Sequence, residues 1–261
     1  MSNKILDLSI HNGTVNMEKV KQSGVYGIIQ RVGYGSNTLD YTAYRNIDNA
    51  LRVGLKVGVY WFMYSLNEEQ ALNESNNFHN YIEKYRGKLE LPVFCDFEYD
   101  TERYAKQQGV YFTVDSRTKI IDTFCSNLER KGWYVGNYAN VDYLRNKINY
   151  NKLKKYDLWL AQWDNKKSYD CGLWQYTSVG KVSGVTGSVD ISLLYKDYPT
   201  IIKENNLNGY GKSKTVNTTN KELDKAITVI AKEVLKGTYG NGTERKEKLY
   251  KVIQDKVNTL I

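Results

Sequence analysis

Between Pro92 and Asp100 the chain reads PVFCDFEYD, a β-rich run that turns from apolar to acidic within one strand's length. Residues two apart in a strand share a face, so Phe94, Asp96 and Glu98 point one way and Val93, Cys95 and Phe97 the other. Crowded carboxylates raise one another's proton affinity, so one of a pair can hold a proton near neutral pH and act as a general acid. Taken alone, the pair fits a solvated sheet edge or a cation site equally well. Other expected strand ends add to it: Asp7 in ILDLS, Tyr60 and Phe62 in VYWFMY, Tyr138 in GNYAN, Gln162 and Trp163 in LAQWD, Gln175 in LWQY and Asp190 in SVDIS. Strands laid side by side would bring these groups to one cleft. Acids with flat aromatics point to glycosidic-bond cleavage. A carboxylic acid protonates the leaving oxygen, a second carboxylate stabilises the oxocarbenium-like state, and Trp and Tyr stack on sugar faces.

Competing chemistries find little support. His11 and His79 are the only histidines and stand far apart, so neither a metal centre nor a His-based triad is expected. Cys95, Cys125 and Cys171 form no CxxC pair and read as reduced, mostly buried thiols, with Cys95 packing on the helix side of its strand. No Gly-rich phosphate loop or strand-end Lys base is found, and no cofactor is expected.

The elements that must carry the acids follow from alternation. Gly followed by a β-rich run recurs at SGVYGIIQRV, VGLKVGVYWF and KGWYVGNYAN, with amphipathic stretches at Glu68 to Lys84 and Asp115 to Lys131 between such runs. Expected strands cover Ile5–Ser9, Tyr26–Arg31, Lys56–Phe62, Pro92–Glu98, Tyr134–Ala139, Leu158–Gln162, Leu173–Tyr176 and a last one near Asp190. Alternating strand and helix imply parallel pairing. After Trp159 the connections are too short for full helices, so an incomplete α/β barrel is expected, its final strands joined by loops or antiparallel. Its active-site face lies at the strands' C-terminal ends. The 261 residues suit one such domain, 1–202, with an appendage. The polar run KENNLNGYGKSKTVNTTNK marks a linker over 203–221, and 222–261 reads as a small helical module: Leu223, Ile227, Ile230 and Val234 share helical spacing, as do Leu249, Val252, Ile253, Val257 and Leu260.

A net charge of +8 favours an anionic partner, and an acidic cell wall is favoured over nucleic acid because Lys and Arg are dispersed and no groove-reading motif occurs. No apolar run reaches membrane-span length, so no membrane insertion is expected. The first residues, MSNKILDLSIHNG, lack a signal-peptide pattern, which predicts synthesis in the cytoplasm and action on the wall after release.

The ordered segments ILDLSIHNGTVNMEKVKQSGVYGIIQRVGYG, DNALRVGLKVGVYWF, PVFCDFE, GWYVGNYAN, LWLAQW and LWQYTSVGKVSGVTGSVDIS resemble glycoside hydrolase family 25 lysozymes of the Chalaropsis and phage-endolysin type, over residues 4 to 195. The resemblance implies a TIM-like (β/α)5(β)3 barrel and N-acetylmuramidase activity on the MurNAc-β-1,4-GlcNAc bond of peptidoglycan. It implies Glu98 as general acid and Asp96 as the carboxylate that orients the substrate N-acetyl group. Asp7 and Asp190 then correspond to the further cleft acids, and Tyr60, Phe62, Tyr138, Trp163 and Gln175 to the sugar groove. Retention through the N-acetyl group competes with inversion by direct water attack. Asn16-Met17 replaces a frequent Asp-Trp and Ser192 a frequent Asn. KEVLKGTYGNGTERKEKL with VIQDKVNTL is similar to a C-terminal wall-binding repeat of phage lysozymes, although a helical unit of this kind could also dimerise. A bacterial autolysin of the same activity and a non-catalytic wall-glycan binder are the alternatives.

Overall fold

A computed structural model describes residues 3–211 and 228–258. The chain divides into two units, Met1–Gly211 and Lys212–Ile261. In the first, strands β1 (Lys4–Leu8), β2 (Gly27–Tyr34), β3 (Thr38–Leu39), β4 (Lys56–Phe62), β5 (Val93–Asp96), β6 (Val135–Asn140), β7 (Asp157–Ala161), β8 (Leu173–Gly180) and β9 (Val189–Leu194) form one sheet. Its order is β1-β9-β8-β7-β6-β5-β4-β2-β3, and β1 also pairs with β2, so eight strands close a barrel while β3 folds back on β2 as a short hairpin. Every neighbouring barrel pair is parallel except those of β9, which runs antiparallel to β8 and β1. This is an α/β, TIM-like barrel in which only the helical ring is incomplete.

Helices α1 (Met17–Gln22), α2 (Ala43–Arg52), α3 (Glu68–Ile82), α4 (Tyr99–Gln107) with α5 (Val114–Arg130), and α6 (Tyr150–Leu153) supply the first five crossovers. From β7 onward, loops replace helices because too few residues remain between strands to cross the barrel. An antiparallel β9 then closes the sheet through a hairpin. Period-two alternation divides the core in two. Inside the barrel, Trp159 is ringed by Tyr60, Phe94 and Tyr138 at centroid distances of 5.8, 5.1 and 4.9 Å. On the helix side, Val93, Cys95 and Phe97 join the larger cluster with Phe124 of α5. Gly136 permits the inner layer, since a Cβ there would collide with the Phe94 ring. Cys95, Cys125 and Cys171 are free and buried.

Three sequence expectations are corrected. The strand expected over Pro92–Glu98 ends at Asp96, and Glu98 becomes the N-cap of α4. The helical stretch expected from Asp115 begins one residue earlier, at Val114, and is capped by Thr113, whose hydroxyl accepts from Ser116 N, so Asp115 lies in the first turn of α5. The linker expected from residue 203 starts too early. After α7 (Tyr198–Glu204), the fully buried Asn208 donates to the Leu89 and Leu91 carbonyls and accepts from Tyr134 N, tying this stretch to the barrel. Residues 212–221 lie outside the described residues.

In the second unit, α8 (228–235) and α9 (Gly242–Asn258) flank a turn with positive φ at Gly237, Gly240 and Gly242. Arg245 donates to the Gly240 carbonyl at 3.0 Å and to Asn241 Oδ1 at 2.7 Å, which fixes that turn on the first residues of α9. Ile230 and Val234 fall on α8, whereas Leu223, Ile227 and Leu260 of the expected apolar faces lie outside the described residues.

Candidate active site

The strand ends at the C-terminal mouth of the barrel enclose a cleft of about 740 Å³ lined by Asp7, Asp96, Glu98, Asp190, Tyr60, Phe62 and Tyr138 among others. Sheet register explains the convergence. Asp7 on β1 sits directly opposite Asp190 on β9, and Asp96 on β5 lies between Phe62 on β4 and Tyr138 on β6. Glu98 lies past the end of β5 but keeps an extended backbone, φ −128° and ψ −174°, so the side-chain alternation continues to it. Its N–H donates to Thr101 Oγ1, and that hydroxyl donates to the Met63 carbonyl at 2.6 Å, anchoring the start of α4 to the end of β4.

All four acids hold protons more tightly than ordinary carboxyl groups. Burial pushes Glu98 up to about 7, helped by the charges of Asp100 and Asp190 and opposed by a hydrogen bond with Asp96. Asp96 is raised well above the usual range by burial, then by Glu98 and Asp7, and its Oδ1 is buried without a hydrogen-bond partner among the described residues. Asp7 is raised well above its usual range by burial and by Asp190, while the Tyr60 hydroxyl and Arg31 pull it down. Asp190 is raised by burial. Asp96 and Glu98 are close enough to share a proton, so the pair titrates as a unit. The arrangement can donate a proton near neutral pH from one carboxyl while a neighbour stays placed to accept a hydrogen bond or stabilise positive charge.

Two of the expected sugar-contacting residues have other places. Gln175 is fully buried beneath the cleft. Its Nε2 donates to Asp7 Oδ2 at 3.2 Å and Asp190 Oδ2 at 3.3 Å, and its Oε1 accepts from the Tyr138 hydroxyl at 3.1 Å and Trp163 Nε1 at 3.2 Å. It spaces the acids from a fully buried position outside the cleft lining. Trp163 is 64% exposed and outside the cleft lining, and that indole bond is its side chain's one hydrogen bond among the described residues. Ser192, the departure noted in sequence, is buried and accepts the Trp159 indole N–H at 3.0 Å. His11 lines the cleft, and His79 accepts from Trp133 Nε1 on the far side of α3.

The sequence reading missed Arg31, Tyr34, Tyr64 and Asp100 in the lining and the buried Asp40 behind it. A charge inside the apolar run GIIQRVGY was a legible signal for Arg31; Asp40, in a short hairpin, carried none. Glu74 on α3 was also missed. It accepts from Trp61 Nε1 at 3.1 Å and from Tyr64 N at 3.2 Å, and its burial raises its pKa to about 7.

A TIM-like barrel with carboxyl groups and aromatic rings gathered at its C-terminal mouth is the general form of a glycosidase. Residues 6–185 match the model of glycosyl hydrolases family 25, and the chain belongs to that family. Residues 229–261 match the CW_7 repeat. The autolytic lysozyme of Clostridium acetobutylicum is 27% identical over 191 residues, covering 72% of this chain and 54% of that one. The modular autolysin LytC of Streptococcus pneumoniae, solved in complex with a synthetic peptidoglycan ligand, is similar at 28% identity and a TM-score of 0.66, over 74% of this chain and 46% of that chain. The CTP1L endolysin is similar at 26% identity and a TM-score of 0.66, over 78% of this chain and 70% of its own. The chain thus spans about half the length of the Clostridium and Streptococcus relatives.

Proposed function

We propose that the protein is a peptidoglycan hydrolase that cuts the β-1,4 bond between N-acetylmuramic acid and N-acetylglucosamine. The observation that carries this reading is the meeting of Asp7, Asp96, Glu98 and Asp190 in one aromatic-walled cleft, with Glu98 holding its proton to about pH 7. Membership of the family and similarity to a lysozyme, an autolysin and an endolysin support the substrate class.

In the proposed reaction Glu98 donates its proton to the glycosidic oxygen as the C–O bond breaks. The N-acetyl carbonyl oxygen of MurNAc, steered by Asp96, attacks the anomeric carbon and forms a cyclic oxazolinium ion. Water then opens the ring as Glu98, now a carboxylate, takes up its proton, and the anomeric configuration is retained overall. Gln175 holds Asp7 and Asp190 apart at the rear of the cleft, and Tyr60 and Tyr138 wall it. The CW_7 match and the net charge of +8 support a wall-tethering role for the C-terminal unit and attraction to acidic wall polymers. Lysis of a bacterial host from within, as an endolysin, is the biological setting we propose.

Mass spectrometry of fragments released from purified peptidoglycan tests the bond. MurNAc at the new reducing ends, with no peptide bond cut, is the expected result, and GlcNAc there would refute it. Following the first-formed anomer by NMR tests the neighbouring-group route, which an inverted product would end.

A further inference from the structure

Arg31 stands in the cleft as the only arginine or lysine among its lining residues, surrounded by Asp7, Asp96, Glu98, Asp100 and Asp190. A guanidinium there could be a plain counter-ion, but three observations point elsewhere. Its side chain is clamped from behind. Nε donates to Asp40 Oδ2 at 3.2 Å, and Asp40 is in turn fixed, accepting from Ile10 N at 2.8 Å and from Thr42 N and Oγ1 at 3.0 and 2.7 Å. The guanidinium carbon also lies 5.4 Å from the centre of the Tyr34 ring, a second restraint on its plane. Its two terminal nitrogens have no hydrogen-bond or ion-pair partner among the described residues, although five carboxyl groups share the cleft.

A planar fork held on one edge and open on the other is built to receive a planar anion in two parallel hydrogen bonds. Because burial makes ionisation of Asp7 and Asp96 costly, the cleft beside it is less hostile to an incoming anion than its count of acids suggests. We propose that Arg31, preset by Asp40 and Tyr34, is a specificity-determining residue that binds a carboxylate carried by the glycan next to the scissile sugar. This rests on the glycan-hydrolase reading above. Two sources share that chemistry: the lactyl carboxylate of a peptide-free muramic acid, and a carboxylate of the attached stem peptide. A neutral N-acetylglucosamine polymer offers neither.

The test compares the full-length protein with Arg31→Gln and Arg31→Lys on three substrates: peptide-free glycan chains, the same chains with the lactyl carboxylate capped as a methylamide, and chains bearing stem peptides. Arg31→Gln is expected to raise KM about tenfold on a carboxylate-bearing substrate, with less effect on the capped one and a smaller change in kcat. Arg31→Lys keeps the charge and the Asp40 contact while losing the fork, and is expected to fall between. A KM effect on peptide-free chains alone assigns the lactyl group, and one on stem-bearing chains alone assigns the peptide. An equal rise in KM on all three substrates overturns the proposal. If the wild type cleaves none of them, the hydrolase reading itself fails, a result distinct from uniform KM values on substrates that are cut.

Discussion

Replacing Glu98 by Gln should abolish chemistry and stabilise the fold, and the second effect should depend on pH. Glu98 releases its proton near 4.5 when exposed and at about 7 in the folded cleft, chiefly because burial penalises its charge. Between those values the folded state binds a proton that the unfolded state has lost, so stability falls as pH rises through the window, and the full cost is reached above 7. The gap corresponds to about 2–3 kcal/mol, allowing for sharing of the proton with Asp96. Gln carries no charge, keeps a similar shape and can still accept from Asp96 through its amide oxygen. At roughly 2–4 °C per kcal/mol for a domain of this size, the variant should melt about 4–12 °C above the wild type at pH 8 and close to it at pH 4. Scanning calorimetry at both pH values, beside a turbidity assay on purified walls, measures stability and activity on the same preparation. Activity should fall at least about a hundredfold, as expected for loss of a general acid. An equal change in melting temperature at both pH values, or lysis within tenfold of wild type, would refute the link between buried charge and catalysis at this residue.

If Glu98 is the proton donor as proposed, the pH–rate profile should fall on its alkaline side with a midpoint near 7, because the donor must carry its proton; a flat profile from pH 6 to 9 on soluble glycan oligomers would contradict this. Gln175→Leu removes both donors to Asp7 and Asp190 and orphans the buried Tyr138 hydroxyl, so unfolding by denaturant should show a loss of about 2–4 kcal/mol; a loss below about 1 would mean the network adds nothing net. Glu74→Ala leaves the Tyr64 N–H without its acceptor at the cleft's edge, so KM should rise more than kcat falls, with about 1–3 kcal/mol of destabilisation in the same assay. Attraction to acidic wall polymers should weaken with salt, and cosedimentation with walls that is unchanged between 50 and 500 mM salt would remove the role given to the net charge.

What the sequence disclosed, and what it concealed, follows from which interactions are local. The alternation of Val93 to Glu98 is a local property of extended backbone, and it survives past the end of β5 because Glu98 keeps strand-like dihedrals as it caps α4. The strand Lys56–Phe62 is bounded by Gly54 and a following turn, and its limits were legible to the residue. Depth within the barrel was not. It depends on the stagger between strands, which no single segment records, so Gln175 reads as a groove residue although it lies under the groove and holds the acids from below. Asp40, Glu74 and Asn208 were invisible for a related reason. Each is a buried polar residue with at least one backbone or indole partner ten or more residues away in sequence, and composition alone classes such residues as surface or linker.

These hidden polar groups and the raised carboxyl groups belong to one physical balance. The cleft gathers four acids that burial and mutual repulsion make costly when ionised. The strands that present them are locked immediately below by the aromatic layer around Trp159 and beside them by Asp40, Gln175 and Thr101, each satisfying groups that the strand ends would leave unpaired. The apolar layer cannot relax toward the acids without breaking those bonds, and the acids cannot separate without dragging the strands. A proton-holding Glu98 is therefore a property of the closed barrel as a whole, and a substitution that loosens the layer, such as Trp159→Ala, should lower the pH at which activity fades even though it touches no acid. Burial is the largest influence on Glu98, so letting water in below it should return its titration toward the ordinary carboxylate range, with the midpoint of the alkaline limb moving down as the measurable sign. An alkaline limb that stays at wild-type pH in a folded Trp159→Ala protein would show that the acid's environment is set by its immediate neighbours alone.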